Sequence, residues 1–320
     1  MEQISSNTNE INDLFKEISE IPNLVVQDNM FINTFTDITY INKGSEGYIY
    51  KAKHIIDDKY YAIKKIPFFI NTDNPTEIVA INILNKLKEV RCMSGLNHHN
   101  IIKYYTSWIE ANKSECNINN MDEYECDSSV TINDKSYFCV CLFVQMELME
   151  LSLRDFIQTY DNEIKKNHIK LLVNNILEGV RYLHTHDIIH RDLKPENVLL
   201  KMKDDQIIDL KIADFSLVIE KKKIIVNNEQ NIGTPTYTPP ENMNGIITKK
   251  YDIYSLGIIL FEIINNFSTF METYIKINEL KDGQLIKQFP LLYNMVHPNY
   301  NKRPHIHYII DNLKIEYSEN

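Results

Sequence analysis

Eight consecutive residues, His190-Arg191-Asp192-Leu193-Lys194-Pro195-Glu196-Asn197, carry the densest chemistry in the chain, and Asp214-Phe215 follow at the end of the strand-like segment DLKIADF. Asp192 supplies a carboxylate that can accept or orient a hydroxyl. Lys194 supplies an ammonium that can neutralise a phosphoryl group in transit, and Asn197 and Asp214 supply oxygen ligands suited to magnesium. Phosphoryl transfer asks a protein for positioning and charge neutralisation more than for covalent chemistry, and these residue types provide both. Two further features suit a nucleotide's phosphates. The stretch Ile41-Asn42-Lys43-Gly44-Ser45-Glu46-Gly47-Tyr48-Ile49 is a turn between two strands whose glycines let backbone amides approach phosphate oxygens. Taken alone, it equally fits an ordinary hairpin. Tyr61-Ala62-Ile63-Lys64 sets one ammonium at the end of a strand to meet the α and β phosphates, and by itself Lys64 equally fits a solvated strand lysine.

The elements that must position these groups fall into two kinds. From Phe35 to Ile66 short β-branched and aromatic segments such as YIYKAK and YYAIKKI alternate with turn residues and read as antiparallel strands. Residues 77–96 lack Gly and Pro until Gly95 and read as a helix. Two more strand-like runs, IIKYYTSWIE and YFCVCLFVQME, flank the polar, acidic stretch 111–135, which is expected to be a disordered insert. Beyond Glu150 the pattern is mostly helical, as in IKLLVNNILEGVRYLHTH and YDIYSLGIILFEIINNF. A sheet-rich first part and a helix-rich second part predict an α+β, two-lobed fold with a cleft where the lobes meet. The expected boundaries are an extension over 1–34, an N-lobe over 35–146 and a C-lobe over 150–316. Within the extension, Ile11, Leu14, Phe15, Ile18 and Ile21 describe an amphipathic helix over 9–21, closed by Pro22, that packs on the domain or docks a partner.

With 320 residues, 43% of them hydrophobic and 24% charged, the chain has the composition of a soluble globular protein with a large core. A formal net charge of −10 argues against nucleic-acid and anionic-membrane partners, which reward surplus Lys and Arg, and leaves a protein or small-molecule partner. The five cysteines form no Cys-x-x-Cys pair, which suits reduced thiols in a cytosol. The acidic, amide-rich start MEQISSNTNEINDLF lacks the pattern of a signal peptide, and no apolar run approaches the roughly 20 residues of a membrane span. A cytoplasmic protein is expected.

Taken together, the His190–Asn197 run, Asp214-Phe215, the glycine turn and the Ala62-Ile63-Lys64 strand resemble the eukaryotic protein kinase superfamily over roughly residues 35–316. The resemblance implies a bilobal kinase fold that binds ATP and Mg2+, with an antiparallel-sheet N-lobe and a helical C-lobe. It makes Asp192 and Lys194 catalytic, and Asn197 and Asp214 the metal ligands. Glu89 becomes the helix glutamate that pairs with Lys64. Met146 becomes the residue at the back of the nucleotide site, and Glu147 to Met149 the hinge whose backbone bonds adenine. Ile41, Gly44, Gly47, Ile49, Ala62 and Leu199 complete the nucleotide-binding positions. Thr234 and Glu241 belong to the activation segment, with Pro239 where alanine is usual. Asp252 is expected to brace the catalytic loop and Arg303 to pair with Glu241. Lys194, two residues after Asp192, is the serine/threonine pattern, and Thr234 fits as the hydroxyl that ties the segment to Asp192 and Lys194.

A finer resemblance, to the kinases of the translation initiation factor 2 alpha subunit, rests on three stretches. These are Glu89-Val90-Arg91-Cys92-Met93-Ser94-Gly95-Leu96-Asn97-His98 running into Tyr104-Tyr105-Thr106-Ser107-Trp108-Ile109-Glu110, then Leu142-Phe143-Val144-Gln145-Met146-Glu147-Leu148, and Phe267-Ser268-Thr269-Phe270-Met271-Glu272. It implies that the substrate is that factor's alpha subunit, phosphorylated on one serine and docked through Thr269 and Glu272. The plainer reading of Thr269 is a helix N-cap. It also implies a homodimer through the N-lobe, although Met30 to Asp37 offer no arginine for the ion pair such dimers use. Departures from the pattern are Asn42 for a loop glycine, Glu46 for an aromatic and Ser216 for the glycine after Asp214-Phe215. Residues 217–232 hold no Ser, Thr or Tyr, and Glu229 stands where relatives place a phosphothreonine, so its fixed charge is expected to replace part of a phosphate's. Rival expectations are a cell-cycle type serine/threonine kinase and a catalytically dead pseudokinase scaffold.

Overall fold

A computed structural model describes residues 29–44, 47–71, 86–87, 89–111, 129–132, 135–220, 225–226, 234–265, 267 and 269–313. The helix expected over 9–21, Glu46 and Glu229 lie outside the described residues. The chain divides into two compact units, one of residues up to 96 with 103–148, the other of 97–102 with 149–320. Segment 97–102 joins the second unit because its backbone is bonded there: Ile102 N–H donates to Ile212 O at 2.9 Å and Ile212 N–H donates to Asn100 O at 2.8 Å.

In the first unit a short helix, α1 (Met30–Thr34), leads into strands β1 (Phe35–Lys43), β2 (Tyr48–His54) and β3 (Tyr60–Asn71). Helix α2 (89–95) precedes β4 (Tyr104–Ala111), β5 (Ser129–Ile132) and β6 (Lys135–Glu147). The sheet order is β1-β2-β3-β6-β4, every pair antiparallel, with β5 on the far end of β6. Period-two alternation explains why both faces are covered. Tyr50, Ala52, Tyr61, Ile63, Trp108, Cys141 and Phe143 share one buried cluster with Phe31 and Phe35. The residues one step out of phase, Ile66, Ile109, Leu142 and Val144, share another with Val90 of α2. Each such side chain, fully buried, contributes roughly 1.5–3 kcal/mol. Phe31 extends the packed unit before residue 35, where the domain was expected to begin: its ring lies 5.1 Å from Phe143, and its N–H donates to Glu110 Oε1 at 2.6 Å. Of the expected insert 111–135, residues 112–128 and 133–134 lie outside the described residues, and the described residues at its edges are strand. β4 keeps Ala111, and residues 129–132 pair antiparallel with β6 from Ile132↔Lys135 to Ser129↔Phe138, since Val130, Thr131 and Ile132 suit a strand better than their polar neighbours imply.

The second unit holds β7 (Leu151–Ser152), α3 (Leu153–Thr159), α4 (Asn162–Thr185), β8 (Ile188–Ile189), β9 (Val198–Lys203), β10 (Gln206–Ile212), β11 (Ile219–Glu220), β12 (Ile225–Val226) and β13 (Ile246–Ile247). Helices α5 (Lys249–Asn265), α6 (Phe270–Lys281), α7 (Pro290–Met295) and α8 (Ile306–Asn312) follow. Helix α4 buries Leu172, Val173, Ile176, Leu177, Val180 and Leu183 on one stripe, whereas α5 is buried continuously from Tyr251 to Ile263. A helix apolar all round belongs in the middle of a core, and α5 accordingly holds the fully buried Asp252. Three small antiparallel pairings organise the loops around it: β10-β9-β7, β11-β8 and β12-β13.

Candidate active site

The loop from His190 to Asn197 leaves β8 and turns into β9, and β10 runs back antiparallel to β9 with Ile212 opposite Val198. That hairpin returns the chain to Asn197, whose carbonyl accepts from Ala213 N–H at 2.8 Å, and so sets Asp214 beside it in the chain. β11 then pairs with β8, Ile219 opposite Ile189. The loop is thus framed by strands on both sides.

Within it the predicted residues converge. The Asp192 carboxylate accepts from Lys194 Nζ at 2.6 Å and from Asn197 Nδ2 at 2.9 Å, and Asn197 Nδ2 also donates to Asp192 O at 2.8 Å. Thr234 Oγ1 accepts from Lys194 Nζ at 3.2 Å and donates to Asp192 Oδ1 at 3.5 Å. With its NH2 turned to Asp192, Asn197 leaves Oδ1 as the atom able to serve a cation. Asp214 has φ 61 and Arg191 φ 67, left-handed conformations that cost non-glycine residues about 1–3 kcal/mol and persist where surroundings enforce them.

The enforcing contacts are visible. Asp252 Oδ1 accepts from Arg191 N–H at 2.9 Å, and its Oδ2 accepts from His190 N–H at 3.0 Å; His184 Nε2 lies 2.9 Å from Oδ2. Burial works against ionisation of Asp252. The His184 hydrogen bond and the imidazoles of His184 and His190 outweigh it and hold the carboxyl below its ordinary value. The His190 ring bridges the loop to the returning strand: Nδ1 accepts from Asp192 N–H at 3.3 Å, so Nε2 carries the proton donated to Ala213 O at 3.0 Å. Buried Phe215 packs on that ring at 5.1 Å. His184 did not stand out in the sequence, and His190 did so only as the first residue of its run, because only the fold brings the two rings to Asp252 and Ala213.

A family model described as "Protein kinase domain" matches residues 35–315. The chain belongs to the protein kinase family. This kinase is 31% identical over 271 residues to the interferon-induced, double-stranded RNA-activated protein kinase of Rattus norvegicus, an alignment covering 83% of this chain and 45% of that one. It is 27% identical over 321 residues to the eIF-2-alpha kinase GCN2 of Arabidopsis thaliana, covering 88% of this chain and 25% of that one. To the eukaryotic translation initiation factor 2-alpha kinase 1 of Rattus norvegicus it is 24% identical, covering 82% and 63%. The chain thus spans from a quarter to under two thirds of the length of these relatives.

The kinase domain implies use of ATP and a divalent metal. In the first unit Lys64 Nζ stands 3.4 Å from Glu89 Oε1, both side chains buried, while Glu89 Oε2 is 3.4 Å from Lys86 Nζ. Lys64 faces Val144 across the ladder and Ala62 faces Met146, so Lys64 lies on the sheet face that α2 covers. Ile41 is half exposed on β1, and Ile49 sits opposite Asn42 and Lys64. Glu147 is pinned at both ends of its residue: its N–H donates to Lys103 O at 3.0 Å and its carboxylate accepts from Lys103 N–H at 2.6 Å. Gly47 is required for a reason the motif did not reveal, since a Cβ there would fall 2.2 Å from Lys65 O. Gly44, whose Cβ would meet Gly47 O at 3.7 Å, is under no such pressure; its N–H donates to Gly47 O at 2.8 Å.

In the second unit Leu199 sits on β9 opposite Lys211 and Ser152, and Met149 begins its longer segment. Glu241 and Arg303 form a buried two-pronged ion pair at 2.6 and 2.7 Å. Thr269 caps α6, its Oγ1 accepting from Glu272 N–H at 3.1 Å, so the plainer role expected for it is present. What the sequence reading missed on this helix is its apolar exterior: Phe270 is 80% exposed and Met271 67%, with Tyr274 and Ile275 about half exposed.

The donor set suits the implied cation. Magnesium is commonly held by one or two protein oxygens together with phosphate oxygens, and the Asp214 carboxylate with Asn197 Oδ1 is such a pair.

Proposed function

We propose that this chain is a serine/threonine kinase that transfers the γ-phosphoryl group of ATP to a serine of the translation initiation factor 2 alpha subunit, in the cytoplasm, lowering translation initiation. The observation that carries the reading is the cluster in which one carboxylate, Asp192, is held by Lys194, Asn197 and Thr234. An incoming serine hydroxyl takes a hydrogen bond to Asp192, which orients its oxygen toward the γ-phosphorus and receives its proton as the bond to phosphorus forms and the β–γ bridge breaks. Lys194 stabilises negative charge on the group in transit. Asn197 and Asp214 would hold Mg2+, which would neutralise phosphate charge. Lys64, kept in place by Glu89, serves the α and β phosphates.

The target is suggested by the two relatives named as kinases of this alpha subunit, from Arabidopsis thaliana and Rattus norvegicus. Support from this chain is the exposed apolar exterior of α6, with Phe270, Met271, Tyr274 and Ile275 beside Thr269 and Glu272; surfaces of this kind mark protein docking. A folded substrate recognised by shape needs no basic consensus peptide. The fixed charge of Glu229 replaces part of an activation-segment phosphate's.

The test is incubation of the purified chain, ATP and magnesium with the purified alpha subunit. Label should enter the alpha subunit, vanish when its acceptor serine is alanine, and fall by orders of magnitude in Asp192→Asn. Equal labelling by Asp192→Asn would refute the mechanism, and labelling of other proteins but not this one would refute the target.

A further inference from the structure

Arg154, on the first turn of α3, is the meeting point of three other elements. Its Nε donates to Glu196 Oε1 at 2.9 Å, its Nη1 to Glu262 Oε2 at 2.8 Å, and its Nη2 to the Tyr237 phenol oxygen. The Tyr237 hydroxyl donates onward to Glu262 Oε1. Glu196 belongs to the turn that ends the catalytic loop, Glu262 to α5, and Tyr237 to the segment that carries Thr234. That segment is closed by Tyr237 N–H donating to Thr234 O at 2.9 Å and by Ser255 Oγ donating to Tyr237 O at 2.8 Å. One guanidinium therefore links α3, the catalytic loop, α5 and the turn whose Thr234 touches both Asp192 and Lys194.

The chemistry of the clasp is specific to arginine. A planar fork reaches three acceptors at fixed angles, which a lysine ammonium on a flexible stem cannot reproduce. Glu262 is almost wholly buried, its side chain 1% exposed, so a missing guanidinium would leave two carboxylates and a phenol facing one another. Burial and Glu262 push Tyr237 upward from its ordinary value, keeping it a neutral donor. Burial opposes the Arg154 charge, and Glu262, Tyr237 and Glu196 more than restore it.

We propose that Arg154 is a positioning residue for phosphoryl transfer, holding the 234–238 turn against the catalytic loop so that Thr234, Lys194 and Asp192 keep their mutual geometry. The proposal rests on the kinase reading above. Steady-state rates of Arg154→Ala, Arg154→Lys and Tyr237→Phe, measured against wild type with and without millimolar ethylguanidinium, test it. Displacement of a reacting group by about 1 Å can cost about 100-fold in rate. Arg154→Ala should therefore lose about that in kcat with little change in KM for ATP, and Arg154→Lys should recover only part of it. Ethylguanidinium should restore about tenfold to Arg154→Ala and do nothing to wild type or Asp192→Asn, a response that a merely structural side chain would not show. A folded Arg154→Ala with wild-type kcat, or one indifferent to ethylguanidinium, overturns the proposal. If Arg154→Ala fails to fold, Tyr237→Phe decides: it removes one link, worth about tenfold in kcat, and an unchanged kcat overturns the proposal. Absence of any wild-type transfer would instead overturn the kinase reading.

Discussion

Replacing Asp252 by asparagine probes whether the catalytic loop is held from below. The aspartate offers two acceptor oxygens to three donors, Arg191 N–H on one side and His190 N–H with His184 Nε2 on the other. Asparagine is nearly the same shape but carries one acceptor. Whichever way the amide turns, its NH2 faces a backbone N–H, so at least one charge-assisted bond is lost and a donor meets a donor. Such bonds are worth about 1.5–3 kcal/mol each, and with the mismatch we expect about 3 kcal/mol of destabilisation. At about 2–4 °C per kcal/mol for a domain of this size, Tm should fall by about 6–12 °C. Arg191, at φ 67, is then free to relax, which moves Asp192 and should reduce kcat by about 100-fold. Thermal melts and initial rates of transfer at saturating ATP would measure both. The pH dependence carries a sign. Because Asp252 is held below its ordinary value of 3.8, its contribution is complete above that value and disappears as pH falls through the folded-state pKa. The wild-type advantage over Asp252→Asn should close below about pH 4. An unchanged Tm together with an unchanged kcat would refute the bracing argument.

The two loop glycines should behave oppositely. Gly47→Ala drives a Cβ to 2.2 Å from Lys65 O, so β2 and β3 must part there, and KM for ATP should rise by about tenfold, whereas Gly44→Ala meets an ordinary 3.7 Å contact and should leave KM unchanged. Glu110→Ala takes the shared acceptor from Phe31 N–H and Trp108 Nε1, which lie 2.6 and 2.7 Å from its Oε1; a loss of about 2–4 kcal/mol in denaturant unfolding is expected, and Glu110→Gln should recover most of it. Thr269→Ala removes the α6 cap and should cost about 1 kcal/mol, while a Phe270→Asp, Met271→Asp double variant should spare stability and phosphorylation of a short peptide yet raise KM for the folded alpha subunit.

The catalytic cluster was legible because its parts lie close in sequence and are bound to one chemistry. Asp192, Lys194 and Asn197 sit within six residues, so the turn they share brings their side chains close together, and distant residues have only to hold it in place. The two-unit α+β architecture was legible for a related reason: period-two runs with both faces apolar, and a helix such as α5 apolar all round, state their burial in composition. What escaped was set by contacts between distant segments. The strand at 129–132 forms where β6 runs on far enough to pair with it, and Phe31 reaches the core through Glu110, 79 residues away. The necessity of Gly47 is likewise a property of Lys65 on the neighbouring strand.

The same distinction separates two kinds of residue in the site. Groups that meet substrate announce themselves by type, since few side chains can take a proton or hold a cation. Groups that fix the geometry announce little by type, because a buried histidine, tyrosine or arginine reads in sequence like any other, and Asp252 and Arg303 were expected only from the family resemblance. His184, Tyr237 and Arg154 are all of this second kind, and each binds either the catalytic loop itself or a residue bonded to it. Phosphoryl transfer gains its rate from placement, so replacing these silent partners should change kcat without abolishing it, leaving KM for ATP nearly untouched. A variant of Tyr237 that altered nucleotide affinity while sparing kcat would contradict that division of labour.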